Sequence, residues 1–368
     1  MIEAPQIFTT EKEIPKHGTR IDDSEHWLKE IFLRDHPAAK NDFSKFTVEW
    51  ESFRVSTPNR CWVYYPWCDK TVVLPEEETY LSLRTMRNRN IINQEEQNRY
   101  RQAIVGVAGL SVGSAVLSAL VFSGGPKRIK LADPDTVEIS NLNRLRATVL
   151  DLGQNKAAVA ARNVWEVDPF IELEVWDKGI TRETLADFLT KPRLDVFIDE
   201  IDSIDLKIAT RFICQLAKLP VVMATDNGDG IILDIERFDL EPSRPIFHGL
   251  LGDGIKPEDF AKLGFRDWLQ LATKIVGPEY LTDRMQESLL EIGRSIVAIP
   301  QLGPSAMMAG AAAAFAVRYI TTGLDLPSGR YLINFEERIL PGYNSPGQQA
   351  AREEKTSNFK QSFGKPAK

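Results

Sequence analysis

The chain has 368 residues, a formal net charge of −7 and 43% hydrophobic residues, enough to bury a large core. The acidic balance argues against a nucleic-acid-binding surface. Its three cysteines show no pairing pattern, and its polar start lacks the apolar stretch of a secretion signal. The longest apolar run, residues 306–317, is too short to span a bilayer. We therefore expect a cytoplasmic protein without a membrane partner.

The first part of the chain predicts a small module that precedes the main domain. Residues 1–25 are charged and aperiodic, and we expect them to be poorly ordered. Residues 26–85 are rich in aromatic side chains, and the segments 46–50 and 61–65 read as strands. This composition predicts a small N-terminal α+β module.

Residues 86–341 alternate between strand and helix patterns. Strands are predicted at 103–108, 128–133, 171–176, 194–199, 220–225 and 231–238. Helices between them predict a doubly wound, mostly parallel, Rossmann-like α/β sheet with helices on both faces. Residues 253–297 read as a helical insertion and residues 304–321 as an alanine-rich helix. The tail, residues 342–368, is polar and is expected to be disordered.

A glycine-rich turn at residues 106–113 (GVAGLSVG) follows the first strand of this sheet. Gly106, Gly109 and Gly113 let the backbone approach a phosphate, and the next helix presents free N–H groups to an anion. Asp133 ends the following strand roughly 20 residues later, where a Rossmann-type fold meets a ribose hydroxyl. The spacing departs from G-x-G-x-x-G, so the loop alone also fits a tight turn without a ligand.

The run 133–144 (DPDTVEISNLNR) has little hydrophobic periodicity, and core packing does not explain it. It places Asp133, Asp135, Asn141 and Arg144 directly after a strand end. Open α/β sheets bind their ligands at this edge. The run therefore indicates a nucleotide site.

These motifs together resemble those of the ThiF/MoeB-type adenylyltransferases, bacterial relatives of ubiquitin-activating enzymes. The glycine loop, the 133–144 run, a G-x-x-K at 153–156 and a D-x-x-D at 199–202 follow one another in the family order, over roughly residues 86–340. The resemblance implies an enzyme that uses ATP to activate a carboxylate as an acyl-adenylate and releases pyrophosphate. The carboxylate implied is the C-terminus of a ubiquitin-like sulfur-carrier protein, such as those serving molybdopterin or thiamine synthesis, or of a peptide.

The resemblance also implies roles for individual residues. Asp133 holds the ribose, while Asn141, Arg144 and Lys156 line the triphosphate. Adenylation joins two anions, so it needs cations and a metal more than a nucleophile. Mg²⁺ takes one or two carboxylates plus substrate phosphates, and the family pattern assigns it to Asp202, with Asp199 as a second candidate ligand. The alternative is that Asp202 or Ser203 caps the helix that follows.

Arg89 matches the end of a family segment that reaches into the ATP site of the partner subunit. The resemblance thus implies a homodimer in which Arg89 acts in trans. The alternative is a solvated basic helix face, because Arg99 and Arg101 follow closely.

Several departures from the family pattern bear on function. Glu200 and Ser203 stand at the Cys and Asn places of an Asp-Cys-x-Asp-Asn motif, and Glu200 adds a negative charge near Asp202. The chain has no C-x-x-C pair, so no zinc is expected. Residues 228–297, where thioester-forming relatives carry a cysteine, have none. We therefore expect an enzyme that stops at the adenylate or hands it directly to another molecule.

Two other functions remain open at this stage. A non-catalytic adenylation-fold partner subunit is favoured by the missing thiol and by the substitutions around Asp202. A nicotinamide- or flavin-dependent oxidoreductase is suggested by the glycine loop alone.

Overall fold

The computed structural model describes residues 2–56, 59–252, 254–260 and 263–363. These ranges contain eleven strands and thirteen α-helices. The strands are β1 (Gln6–Phe8), β2 (Thr19–Asp22), β3 (Arg60–Tyr65), β4 (Lys70–Pro75), β5 (Ile104–Ala108), β6 (Arg128–Ala132), β7 (Glu172–Trp176), β8 (Val196–Asp199), β9 (Val221–Asn227), β10 (Gly230–Glu236) and β11 (Gly329–Asn334). The helices are α1 (Ser24–Asp35), α2 (Thr47–Val55), α3 (Glu77–Arg84), α4 (Gln94–Gln102), α5 (Gly113–Phe122), α6 (Lys156–Val167), α7 (Leu185–Thr190), α8 (Ile204–Ala217), α9 (Phe265–Val276), α10 (Asp283–Glu291), α11 (Gly303–Thr322), α12 (Phe335–Ile339) and α13 (Pro346–Phe363).

The main sheet has the order β11-β10-β9-β8-β5-β6-β7. Strands β5 to β9 pair in parallel, and β10 and β11 continue the sheet in antiparallel fashion. From β5 the chain runs outward through β6 and β7 and then returns to β8 on the other side of β5. Such a reversal is the point at which open α/β sheets bind ligands. The predicted doubly wound, mostly parallel sheet is confirmed.

Helices cover both faces of this sheet. Apolar residues of α5, α6 and α11 pack on one face, and those of α7 and α8 pack on the other. The alanine-rich helix α11 lies so close to α5 that a Cβ on Gly310 would meet the Ala115 backbone at 2.6 Å. The small side chains of α11 therefore serve close helix packing, as its composition predicts.

The N-terminal module is a four-stranded sheet of order β1-β3-β4-β2 with helices α1 to α3. The expectation of poor order in residues 1–25 is wrong for the described part, because β1 pairs with β3 and β2 pairs with β4. Strands of three or four residues gain their stability from partners far away in sequence, so local periodicity does not reveal them. The module rests on α6, where the Tyr80 hydroxyl donates to the Val167 carbonyl at 2.7 Å.

Segment 46–50 was predicted as a strand but instead leads into helix α2. The helical spacing places the rings of Trp50 and Phe53 against Phe32, with centroids 5.4 and 5.6 Å away. Aromatic packing onto α1 overrides the strand preference of this aromatic and β-branched segment. The strand predicted at 61–65 is confirmed as part of β3.

The tail, expected to be disordered from residue 342, contains helix α13. Phe359 is buried against α9 and α10, and Lys355 pairs with Asp283 at 2.9 Å. The apolar contact depends on Phe359 and Phe363, four residues apart, which is too sparse a pattern for hydrophobic periodicity to show. Residues 364–368 of the predicted tail lie outside the described ranges.

The insertion predicted at 253–297 contains α9 and α10, while residues 253, 261 and 262 lie outside the described ranges. Trp268 on α9 donates its indole N–H to the Asp202 carbonyl at 3.0 Å. The insertion therefore lies beside the carboxyl edge of the sheet. Within the described residues, no helix has the length and apolar character needed to cross a membrane.

Candidate active site

The glycine loop joins the buried strand β5 to the N-terminus of α5. Gly109 has a φ of +87°, and a Cβ there would lie 2.0 Å from the Glu200 carbonyl oxygen, so only glycine fits. Gly113 opens α5, and a Cβ there would lie 3.0 Å from Val107. The loop therefore passes close over the end of β8.

Gly106, which the sequence placed in this loop, lies instead in the middle of β5. A Cβ at this position would approach Leu194 to 2.4 Å and Phe188 to 3.0 Å. The structure thus gives Gly106 a packing role beneath the site. This corrects its assignment as a cofactor-binding residue.

Asp133 fastens the glycine loop to the end of β6. Its two carboxylate oxygens accept hydrogen bonds from the backbone N–H groups of Leu110 at 2.6 Å and Asp135 at 2.9 Å. Burial raises the pKa of Asp133, while these two bonds and the charge of Lys156 oppose the rise. Each carboxylate oxygen retains a second lone pair, so Asp133 can still accept a hydrogen bond from a ribose hydroxyl.

Lys156 and Asp135 form an ion pair at the start of α6. The ammonium of Lys156 lies 2.9 Å from Asp135 Oδ2; the lysine is mostly covered and the aspartate 62% exposed. Asn155, which the sequence analysis did not single out, caps α6 by accepting the Ala158 N–H at 3.1 Å. Its amide also donates to the Asp133 carbonyl at 3.0 Å. Asn155 therefore fixes the start of α6 against the end of β6.

Arg144 lies across the glycine loop. Its Nε donates to the Ser111 hydroxyl at 2.8 Å, and its Nη1 donates to the Ser140 carbonyl at 3.1 Å. The side-chain oxygen of Asn141 accepts the Glu138 N–H at 3.1 Å, and its backbone carbonyl accepts the Arg144 N–H at 3.1 Å. Asn141 thus shapes the turn that carries Arg144, and its side-chain oxygen is already engaged within the protein.

Asp202 follows β8 and keeps part of its surface open to solvent. Partial burial of the carboxylate raises the pKa of Asp202, and the charges of Lys207 and Lys156 oppose this rise. Burial lowers the pKa of Arg144, and the negative charge of Asp202 opposes this effect. Arg144 and Lys156 therefore both lie close enough to Asp202 for their charges to interact with it. Ser203 precedes α8 without a capping side-chain bond, so the alternative of a helix cap does not describe this turn.

Asp199, the second candidate metal ligand, has a different role. It is fully buried, its Oδ2 pairs with Arg211, and its Oδ1 lies 3.0 Å from the Lys207 ammonium. Burial alone would raise its pKa, but these two cations hold the pKa below its ordinary value. The backbone N–H of Ile201 also donates to Oδ1 at 3.1 Å. This saturated carboxylate is unavailable to a metal, which corrects the expectation for Asp199.

Two further acidic residues at this edge were missed as site residues. Asp226 is the next-to-last residue of β9 and is only 7% exposed. Burial raises its pKa to about 6. Burial also raises the pKa of Glu200 well above its ordinary range, so Glu200 adds less negative charge than the sequence implied. Asp226 directly follows the predicted strand 220–225, so the strand-end rule that selected Asp133 would have found it.

Arg89 lies at the far end of α5 from the glycine loop. The neighbouring Asn88 donates to the carbonyl of Ser123, which ends this helix. The ten residues of α5 span about 15 Å. The guanidinium is exposed, and no described residue pairs with it. Arg89 is therefore not brought to the Arg144, Lys156 and Asp202 of its own chain.

The family model described as the ThiF family matches residues 84–335, more than half of the chain. The chain belongs to the ThiF family. An uncharacterized protein of Mycobacterium tuberculosis is 38% identical over 274 residues, which cover 74% of this chain and 38% of that protein. The chain thus spans well under half the length of this relative.

Two other ThiF-family relatives carry functional names. A tRNA threonylcarbamoyladenosine dehydratase of Bacillus subtilis is 31% identical over 46% of this chain and 70% of its own length. A sulfur carrier protein adenylyltransferase of Thermus thermophilus is 29% identical over 43% of this chain and 55% of its own length. The named relatives therefore include both an adenylyltransferase and a dehydratase.

The ThiF-family site offers one free carboxylate for a divalent ion. Among the described residues, no group of three or more His, Cys, Asp or Glu side chains is arranged to hold a metal. Mg²⁺ bound together with nucleotide phosphates needs only one or two carboxylates. No described residue donates a hydrogen bond to the Asp202 carboxylate, so Asp202 fits this requirement.

A separate cleft of about 580 Å³ opens at the opposite end of the strands. Ile104, Arg128 and Glu172, the first residues of β5, β6 and β7, line it. None of the four motifs contributes to this cleft. All four motifs lie away from this cleft, toward the carboxyl edge of the sheet.

Proposed function

We propose that the protein is an ATP-dependent adenylyltransferase. It joins AMP to the C-terminal carboxylate of a small ubiquitin-like carrier protein or of a peptide, and pyrophosphate is released. The relative named as a sulfur carrier protein adenylyltransferase supports this substrate class. The observation that carries the proposal is that Arg144 and Lys156 lie close enough to Asp202 for their charges to interact with it. Arg144 is also hydrogen-bonded to Ser111 of the glycine loop.

The geometry suits a reaction in which a carboxylate attacks the α-phosphorus of ATP. The triphosphate lies over the glycine loop, where the N-terminus of α5 and the guanidinium of Arg144 balance its charge. Lys156 exchanges its exposed partner Asp135 for a phosphate oxygen. Asp202 is the residue that would hold Mg²⁺, which supplies further positive charge to the phosphates when bound.

The order of the strands also sets where each part of the substrates lies along the sheet. Asp133 at the end of β6 receives the ribose, and the loop after β5 receives the phosphates. Asp202 follows β8, and the next strand outward is β9. The attacking carboxylate therefore enters from the β9 side, opposite the ribose.

The site of a single chain lacks one cation that the resemblance implies, because Arg89 lies away from it. We infer that Arg89 supplies it in trans within a homodimer. The position of Arg89 beyond the far end of α5 agrees with a role in a neighbouring subunit.

Exchange of labelled pyrophosphate into ATP tests the activity, with candidate carrier proteins and peptides as the carboxylate. We expect Lys156→Met and Asp202→Asn to lower the exchange rate by about 10² to 10³, as for other groups that stabilise developing charge. Lys191→Met is the matched control, because Lys191 pairs with Asp187 near the opposite edge. If the wild type supports exchange and Lys156→Met exchanges equally well, the role of Lys156 fails. If the wild type binds ATP but shows no exchange with any carrier protein or peptide, the assignment fails and the partner-subunit alternative gains.

A mixing experiment tests the role of Arg89. Arg89→Ala and Lys156→Met chains are each expected to be inactive, but a mixed dimer holds one intact site, built from Lys156 of one chain and Arg89 of the other. An equal mixture should recover about a quarter of the wild-type activity, because half of the dimers are mixed and each has one working site. No recovery after subunit exchange, verified by a size tag on one chain, would place Arg89 in its own site, and full activity of Arg89→Ala alone would place it in none.

The relative named as a tRNA threonylcarbamoyladenosine dehydratase favours a second candidate substrate, a carboxylate on a modified tRNA. The net charge of −7 argues against it, since nucleic acid binding relies on basic surfaces. The same exchange assay separates the two. Exchange stimulated by total tRNA, and by no carrier protein or peptide, would replace the proposed substrate.

A further inference from the structure

Asp226 holds an unsatisfied polar atom at the carboxyl edge of the sheet. Its Oδ2 accepts a hydrogen bond from the Gln301 amide at 3.1 Å. Its Oδ1 is buried and has no hydrogen-bond partner among the described residues. A buried acceptor without a donor costs free energy, and more so when it carries charge. The fold therefore retains an arrangement that costs stability in the resting protein.

The surroundings of Asp226 do not relieve this cost. Arg144 attracts it, but the hydrogen bonds of Arg144 go to Ser111, Ser140 and Asn143. Glu200 lies close enough for the charge of Asp226 to contribute to its raised pKa, and Glu200 itself accepts the Ala224 N–H at 2.9 Å. None of these groups, nor any other described residue, donates a hydrogen bond to Oδ1.

Gln301 connects Asp226 to the rest of the site. While its amide donates to Asp226, its backbone carbonyl accepts a hydrogen bond from the side chain of Asn143 at 2.8 Å. Asn143 is the neighbour of Arg144 in the 133–144 run. Asp226 is therefore fixed relative to the same turn that places Arg144 over the glycine loop.

We propose that Asp226 is a specificity-determining residue whose Oδ1 accepts an N–H group from the substrate. The inference rests on the proposed function, in which the ribose lies at β6 and the attacking carboxylate lies toward β9. The group nearest Asp226 is then the atom attached to the carbon that bears the reacting carboxylate. In an amino-acid residue at a chain terminus this atom is a nitrogen that carries a hydrogen.

The consequence is selection for carboxylates of amino-acid residues. An amide or ammonium N–H supplies the missing partner of Oδ1. A substrate with oxygen or carbon at that position leaves Oδ1 unpaired after water has been excluded. Sites built to bind a donor reject analogues without it for this reason.

The substitution Asp226→Asn reverses the hydrogen-bonding character at nearly constant shape. The carboxamide oxygen can keep the bond from Gln301, and the amide N–H₂ group then stands where Oδ1 was. A donor on the substrate would meet a donor on the protein. Asp229→Asn is the matched control, because Asp229 is exposed in the turn between β9 and β10.

Three acyl-adenylate mimics test the proposal by equilibrium binding to the full chain. They are 5′-sulfamoyladenosines acylated with N-acetylglycine, acetoxyacetic acid or 4-oxopentanoic acid, which place N–H, O or CH₂ at the tested position. We expect the wild type to bind the N–H compound at least about tenfold more tightly than the other two. Asp226→Asn should lose this preference, and Asp229→Asn should keep it.

The results separate the role of Asp226 from the proposed function. Equal affinity of the wild type for the three mimics, with clear binding, would overturn the role of Asp226 and leave the proposed function standing. A preference that survives in Asp226→Asn would do the same. If neither ATP nor any mimic binds the wild type, the proposed function fails and this inference fails with it.

Discussion

Two groups of charged residues near the end of β8 differ in how completely their charges are paired. The inner cluster consists of Asp199, Lys207, Arg211 and Glu236. The rim cluster consists of Arg144, Lys156, Asp202 and Asp226. Asp199 and Asp202 are only three positions apart in sequence, yet one is enclosed in ion pairs and the other is open to solvent.

The inner cluster is saturated. Arg211 pairs with Asp199 and, at 2.8 Å, with Glu236, whose other oxygen accepts the Phe247 N–H at 2.7 Å. In the rim cluster, Asp226 has an unpartnered oxygen and a raised pKa, whereas the pKa of Asp199 is lowered. Buried charge that is fully paired holds a structure together, and charge left incompletely paired is available to a ligand.

The largest effect should come from breaking the inner cluster with Arg211→Met. The substitution leaves Asp199 and Glu236 buried without their shared cation, so we expect a loss of about 3 to 5 kcal/mol in the free energy of unfolding. Urea denaturation followed by circular dichroism measures it. Arg144→Met in the rim cluster should cost less than about 1 kcal/mol. Equal losses in the two variants would contradict the distinction between the clusters.

The two clusters should also respond to pH with opposite signs. The pKa of Asp226 is raised to about 6 from an ordinary value of 3.8, so the folded state loses stability as pH rises through this interval. The full penalty at pH 8 is about 3 kcal/mol. Asp226→Asn removes it but leaves its own amide N–H unpaired, so we expect a net gain of about 2 kcal/mol at pH 8.

Denaturation at pH 4, 6 and 8 tests this dependence, because the gain should shrink toward zero at pH 4. Asp199→Asn is the comparison. The pKa of Asp199 is lowered, so its ionised form stabilises the fold above the unfolded pKa, and this contribution disappears as pH falls through the folded pKa. The amide variant should therefore be less stable than wild type by nearly the same amount at pH 8, 6 and 4, because the folded pKa lies below 3.8. Parallel pH profiles for the two variants would refute the assignment.

Local sequence patterns predict the frame of the site well. The strands β5 to β10 fall where their sequence patterns place them, and the polar run after β6 lies at the predicted edge. Apolar strands and capped helices carry their signal within a few adjacent residues. Asp133, Arg144, Lys156 and Asp202 could therefore be placed together from sequence and resemblance alone.

What the sequence does not reveal depends on contacts between distant segments. Nothing local distinguishes Asp199, sealed by Arg211 from α8, from Asp202, which remains open three residues later. Gly106 looks like part of the loop until Leu194 is seen against it. Helix α13 and strands β1 and β2 likewise depend on partners far along the chain.

The smallest expected effect compares two asparagines that cap helices in the same way. Asn155 caps α6 at the rim cluster, and Asn93 caps α4 by accepting the Glu96 N–H at 2.9 Å. Replacing either by alanine should cost about 1 kcal/mol of stability. Only Asn155→Ala should also weaken ATP binding, because the Asn155 amide joins the carbonyls of Asp133 and Asp177 at 3.0 and 2.9 Å and so fixes Lys156 beside the glycine loop. Calorimetric titration with ATP gives the affinity. If both variants bind ATP as the wild type does, the start of α6 does not depend on this cap to present Lys156.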